Sequence, residues 1–60
     1  MTRLKATRKK FKLKLREVGE RIGLSTASVH DAETRGIQTK RTAQKYAAAF
    51  PGVPWKELID

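Results

Sequence analysis

The spacing around two glycines, Gly19 and Gly23, constrains this chain more than any other feature. Leu15, Val18, Gly19 and Ile22 recur at helical intervals, and the pattern stops at Gly23, which suits a left-handed turn because it has no Cβ. Ser25 follows, a side chain that can cap a new helix. Two short helices joined by a tight turn are therefore predicted. Gly19 in a helix interior costs about 1 kcal/mol relative to Ala, so its missing Cβ makes sense where the next helix crosses closely over it. An ordinary helical hairpin with an incidental glycine is the alternative reading.

In the second of these helices, Ser25 to Gly36 (STASVHDAETRG), Val29, Ala32 and Glu33 fall on the inner side. Thr26, Ala27, His30, Asp31 and Thr34 are left on the outer side. These are small or hydrogen-bonding groups rather than long charged ones. A helix that enters a major groove needs such a surface, because its side chains must reach base edges while its backbone lies close to the duplex.

Sixty residues allow one small domain, 1–60, that buries only about 60% of its unfolded surface. Fourteen Lys and Arg against six Asp and Glu give a net charge of +8, and a domain this basic is expected to meet a polyanion. A membrane is the rival polyanion. No apolar run approaches transmembrane length, and the basic N-terminal stretch lacks the apolar segment of a signal peptide, so no membrane partner and a cytoplasmic location are expected. The chain has no cysteine, which removes disulfides and thiolate metal sites. Arg3, Lys5, Arg8, Lys9, Lys10, Lys12, Lys14 and Arg16 crowd the first third, and Lys40, Arg41 and Lys45 form a second basic group. These groups flank the helix with the polar outer face, where phosphate strands bordering a groove would run. For any single lysine, a merely solvated position is the competing explanation.

Five helical segments are predicted, an all-α fold. The first spans about Arg3 to Lys12 with Leu4, Ala6, Arg8 and Phe11 inward, and the glycine-joined pair follows. Gly36 ends the third, and Ile37 plugs the core from a short loop. Thr39 caps a fourth helix with Ala43, Tyr46, Ala47 and Phe50 on one face, which Pro51 and Gly52 stop. Pro54 suits the first turn of a last short helix that offers Trp55, Leu58 and Ile59 to the core.

LREVGERIGLSTASVHDAETRG, continued by TKRTAQKYAAAF and VPWKELI, resembles the Cro/cI-type (XRE) helix-turn-helix DNA-binding domains of phage repressors and bacterial regulators. The resemblance runs from Leu4 to Ile59 and rests most on Val18-Gly19, Ile22-Gly23-Leu24-Ser25, Val29 and Glu33 at their mutual spacing, followed by Ala47 to Phe50. It implies a five-helix, lambda-repressor-like domain with helix three as the base-reading element. It also implies a largely buried ion pair between Arg8 and Glu33, and base contacts from Thr26, Ala27 and Asp31, with Ser28 and His30 near enough to join them. Phosphate contacts are expected from Lys12, Lys14, Ser25, Thr39, Lys40 and Arg41. Asp31 is the odd member, since a carboxylate among phosphates is repelled. It either accepts from cytosine N4, orients a neighbouring Arg or His30, or merely trims non-specific affinity.

The chain departs from the pattern in three places. The family often begins helix two with Ser or Thr followed by Gln, where Lys14 and Leu15 stand here. The usual Ala after the buried helix-two residue is Gly19, and the usual Glu-Asn-Gly turn becomes Glu33-Thr34-Arg35-Gly36, one residue longer.

Catalysis is not supported, because His30 is the only histidine, its neighbour Asp31 faces elsewhere on a helix, and nothing completes a catalytic or metal constellation. No cofactor, metal or small-molecule ligand is expected. The sequence is therefore read as a sequence-specific duplex-DNA binder, a phage or prophage repressor that pairs on a palindromic operator. Pro51, Val53 and Trp55 are the expected dimer contacts, with Trp55 alternatively a last core plug. An antitoxin-like or anti-CRISPR-associated autorepressor is the nearest alternative, and a basic RNA-binding or protein-interaction module is the alternative from another class.

Overall fold

A computed structural model describes all of residues 1–60 and shows four α-helices followed by a single 3-10 turn. The helices are α1 (Arg3–Lys10), α2 (Leu15–Ile22), α3 (Thr26–Arg35) and α4 (Lys40–Ala47), and the 3-10 turn is Trp55–Leu58. The last of the five expected helices is thus not an α-helix. After Pro54 only four residues adopt helical geometry, a length at which the tighter 3-10 winding is the usual form.

Each helix start has its own chemistry. Ser25 Oγ accepts from the Ser28 N–H, Thr39 Oγ1 from the Thr42 N–H, and Thr2 Oγ1 from the Lys5 N–H, which satisfies an otherwise orphan donor at α3, α4 and α1. Lys14 has no capping hydroxyl. There the side chain of Glu17 reaches back and accepts from the Lys14 N–H at 2.8 Å, so α2 is capped from its own first turn.

The helix ends differ from expectation at α1, which stops at Lys10 rather than Lys12. Lys12 takes a left-handed φ of 57°, and the Lys12 and Leu13 N–H groups bond back to the Lys9 and Arg8 carbonyls. That is the closing pattern usually completed by glycine. At the end of α2 the same geometry does use glycine. Gly23 has φ 73°, and the Leu24 N–H bonds to the Gly19 carbonyl. A Cβ on Gly19 would collide with the backbone carbonyl oxygen of Leu24, so the close approach is made by the turn itself.

Buried Leu4, Val18, Val29, Ile37, Ala43, Tyr46, Ala49, Phe50 and Leu58 form one core. Phe11 meets Phe50 edge-on, with ring centroids 5.3 Å apart. Ala6 is exposed, not inward, because Leu4, Arg8 and Phe11 already define the buried side of α1 and Ala6 lies across the helix from Leu4. Ala49 is buried where helical spacing favours Ala47, since α4 ends at Ala47 and the following turn carries Ala49 and Phe50 inward. Ile37 plugs the core from the α3–α4 loop and pairs as a short parallel bridge with Ile59.

Polar ties hold the periphery. Arg8 Nε and Nη2 donate to the two carboxylate oxygens of Glu33, while Arg8 Nη1 donates to the Leu13 carbonyl at 2.9 Å. Thr2 Oγ1 also donates to the Glu33 carbonyl. Asp60 accepts from the Arg3 and Ile37 N–H groups, and so joins the start of α1, the α3–α4 loop and the chain end. The Arg8 and Glu33 side chains keep only 14% and 4% of their exposure, so removing one partner leaves a charge that water cannot reach. Arg8→Met is expected to cost about 3 kcal/mol, and adding Glu33→Leu should recover much of that loss. Urea melts of both single variants and the double measure this, and equal, additive losses well below about 1 kcal/mol would contradict a buried pair.

Candidate nucleic-acid interface

The inner side of α3 is consumed by packing. Val29 and Glu33 are buried and Ala32 is half-buried, whereas Thr26, Ala27, Ser28, His30, Asp31 and Thr34 are all exposed. These exposed residues share a helix that is fixed on three sides. α2 packs along it, α1 is tied to it through Arg8 and Glu33, and α4 reaches it through Tyr46. The backbone that presents the polar side is therefore positioned by buried contacts rather than by the polar side chains themselves.

Tyr46 makes the tie from α4, since its hydroxyl donates to the Ser28 carbonyl at 3.2 Å. Burial, and then the carboxylates of Asp31 and Glu33, hold its phenol protonated above the ordinary value of 10.0. This brace on α3 is not legible in the sequence, which marks Tyr46 only as a core residue.

The expected phosphate contacts lie at helix starts and turns. Lys14, Ser25 and Thr39 are the cap residues of α2, α3 and α4, and Lys40 and Arg41 open α4. Unpaired N–H groups and the helix dipole make such positions favourable for anions. Lys12 is exposed in its left-handed turn immediately before α2. Lys40 Nζ sits 5.4 Å from the centre of the Trp55 ring, and Lys56 Nζ sits 5.9 Å from it, an arrangement that lets the indole hold both cations. Trp55 and Val53 are half-buried against the core, and Pro51 is exposed.

On α3, Asp31 is met by a residue that the family pattern assigns to the turn. Arg35 Nε lies 3.0 Å from Asp31 Oδ1, an ion pair between residues one helical turn apart. The i,i+4 spacing is visible in the sequence, but the longer Glu33-Thr34-Arg35-Gly36 segment suggests an altered loop instead. In the structure α3 continues through Arg35, so the extra residue lengthens the helix. His30 contacts no carboxylate. Its carbonyl accepts from Thr34 Oγ1 at 3.0 Å, a bond internal to the helix.

The helix-turn-helix family model matches residues 4–58. No curated protein and no solved structure matches the chain. With the model spanning nearly the whole sequence and α2, the Gly23 turn and α3 forming the motif, the chain belongs to the Cro/cI-type (XRE) helix-turn-helix family of DNA-binding domains. Its activity is sequence-specific DNA binding of that type. No helix is long and apolar enough to cross a membrane.

A pH dependence follows from Tyr46. Its folded-state affinity for the proton exceeds that of the unfolded chain, so the native state holds more protons above pH 10.0 and stability falls as pH rises through that range. Tyr46→Phe should lose about 1 kcal/mol at neutral pH, from the missing bond to Ser28, and should flatten the alkaline decline. Paired urea melts from about pH 9 to about pH 11 test it. Parallel declines in the two proteins would show that the phenol does not contribute.

Proposed function

We propose that the chain is a transcriptional repressor of phage or prophage type, in which residues 1–60 act as one domain in the cytoplasm and two copies occupy a palindromic operator. α3 lies in the major groove, with Thr26, Ala27, Ser28, His30 and Asp31 toward the bases. The observation that carries this reading is the sidedness of α3, whose inner residues are fixed by packing and whose outer residues Thr26, Ala27, Ser28, His30 and Asp31 are exposed and lack long side chains. Lys12, Lys14, Ser25, Thr39, Lys40 and Arg41 take the bordering phosphates. Occupancy of the operator excludes polymerase, with no cofactor or small-molecule ligand involved.

Size supports the pairing. The domain measures 23 × 22 × 20 Å, less than the roughly 34 Å of one helical turn between half-sites, so a single copy covers one half-site only. Pro51, Val53 and Trp55 form the contact between copies. Met1 is the one large apolar side chain left exposed, so this contact is small and association is favoured on DNA, where the duplex holds the two copies together. Duplex DNA is favoured over single-stranded RNA by the aromatics. Tyr46 and Phe50 are buried and Phe11 and Trp55 half-buried, which leaves no free stacking platform for unpaired bases.

Selection of bound duplexes from a random library tests the reading. The expected outcome is a palindrome with half-sites about one turn apart, outcompeting single-stranded RNA of equal length. Enrichment of no sequence, or preference for the RNA, would contradict it. On the selected duplex, Lys40→Ala and Arg41→Ala should weaken every sequence alike and reduce the salt slope by about 0.9 for each phosphate no longer neutralised. A sequence-selective loss would instead place these residues on bases.

A further inference from the structure

Asp31 and Arg35 form the only ion pair on the exposed side of α3. We infer that Arg35 reads a guanine in the major groove and that Asp31 is its positioning residue, acting through the guanidinium rather than on a base. The inference rests on the reading of α3 as the groove helix and adds a specificity-determining residue to it.

The geometry supplies the argument. Asp31 engages Arg35 through Nε, at 3.0 Å, and the terminal Nη1 and Nη2 groups have no protein partner. A guanidinium whose charge partner lies on its Nε side leaves its two end-on N–H groups free and parallel, the arrangement that matches O6 and N7 of guanine. Helical side chains lean toward the N-terminus, so Arg35 carries its charge back over the turn that bears Asp31, along the exposed side of α3 that Asp31 shares with Ala27 and Ser28. The alternative is a surface pair at a helix end, where a cation also suits the dipole. With 78% and 60% of the two side chains exposed, such a pair adds little to the fold. Stability is therefore a weak reason for either residue. Recognition explains both, because the arginine offsets the repulsion of the Asp31 carboxylate from phosphates, and the carboxylate fixes a side chain that otherwise samples many rotamers.

The pair also accounts for the additional residue in this chain. Thr34 and Arg35 extend α3 before Gly36 turns the backbone, and only that extension places an arginine one turn beyond Asp31.

The test uses the preferred duplex of the wild-type chain and its set of single base-pair variants. Arg35→Gln should lose about tenfold or more of the preference for guanine at one symmetric pair of positions, with preferences elsewhere retained. Arg35→Lys should lose the same preference while keeping the wild-type salt slope, because the charge remains and the fork does not. Asp31→Asn should weaken that same preference and add nothing to Arg35→Gln in the double variant. Replacing the guanine by 7-deazaguanine should weaken the wild type and leave Arg35→Gln unaffected. A uniform loss on all duplexes for Arg35→Gln would make Arg35 a phosphate contact and overturn the inference. So would an Asp31→Asn change at a different base pair, which would make Asp31 a reader in its own right. A wild-type chain with no preferred duplex would overturn the repressor reading itself, an outcome distinct from both.

Discussion

The orientation of α3 depends on one guanidinium. Arg8 joins three segments at once, with Nε and Nη2 on the Glu33 carboxylate and Nη1 on the carbonyl of Leu13, the residue that leads from α1 toward α2. Desolvation offsets much of the attraction in such a pair, so its value lies less in net stability than in the penalty for any arrangement that separates the charges. A sixty-residue chain has few apolar side chains with which to fix helix angles. A directional, buried tie between α1 and α3 supplies what a larger core would otherwise provide. Thr2 on the Glu33 carbonyl and Tyr46 on the Ser28 carbonyl complete the restraint along the same helix.

With its inner side fixed in this way, α3 is free to carry residues that contribute almost nothing to folding. Thr26, Ala27, Ser28, His30 and Asp31 are exposed, and the tie points lie on backbone carbonyls or on Glu33. On the proposed reading, substitutions on the exposed side change which bases are recognised without disturbing the buried side. Gly19 matters for the same reason. Its missing side chain lets the Leu24 carbonyl close in, which sets how α3 leaves α2. The net charge of +8 then supplies affinity that does not depend on sequence, leaving specificity to a few side chains.

Local signals are legible in the sequence and long-range ones are not. Gly23, Ser25 and Thr39 act within a few residues of themselves, and each does what its position implies. The inward places of Val29 and Glu33 follow from helical period. The partnership of Glu33 with Arg8, 25 residues away, comes from family resemblance, because no periodicity links two helices that far apart. Asp60, which accepts from Arg3 and Ile37, carries no sequence signal at all. Ala6 departs from its expected inward place because it lies across α1 from Leu4, and once Leu4, Arg8 and Phe11 face inward the opposite side is left to solvent. Lys12 ends up outside α1 because a left-handed turn normally announces itself by glycine, and here lysine adopts it. In the candidate interface, the exposed side of α3 can be read directly, whereas Arg35 cannot, since its importance depends on α3 running on through the lengthened turn.

The central claim is that the exposed side of α3 meets the major groove while its buried side stays fixed. Amide chemical shifts recorded during titration with the selected duplex test it most directly. The largest changes are expected at Thr26 to Asp31 and at Arg35, with smaller ones at Lys14, Thr39, Lys40 and Arg41, and with Val18, Val29 and Phe50 unmoved. Changes concentrated instead on the outer side of α1, at Ala6, Lys9 and Lys10, with α3 unaffected, would contradict the account.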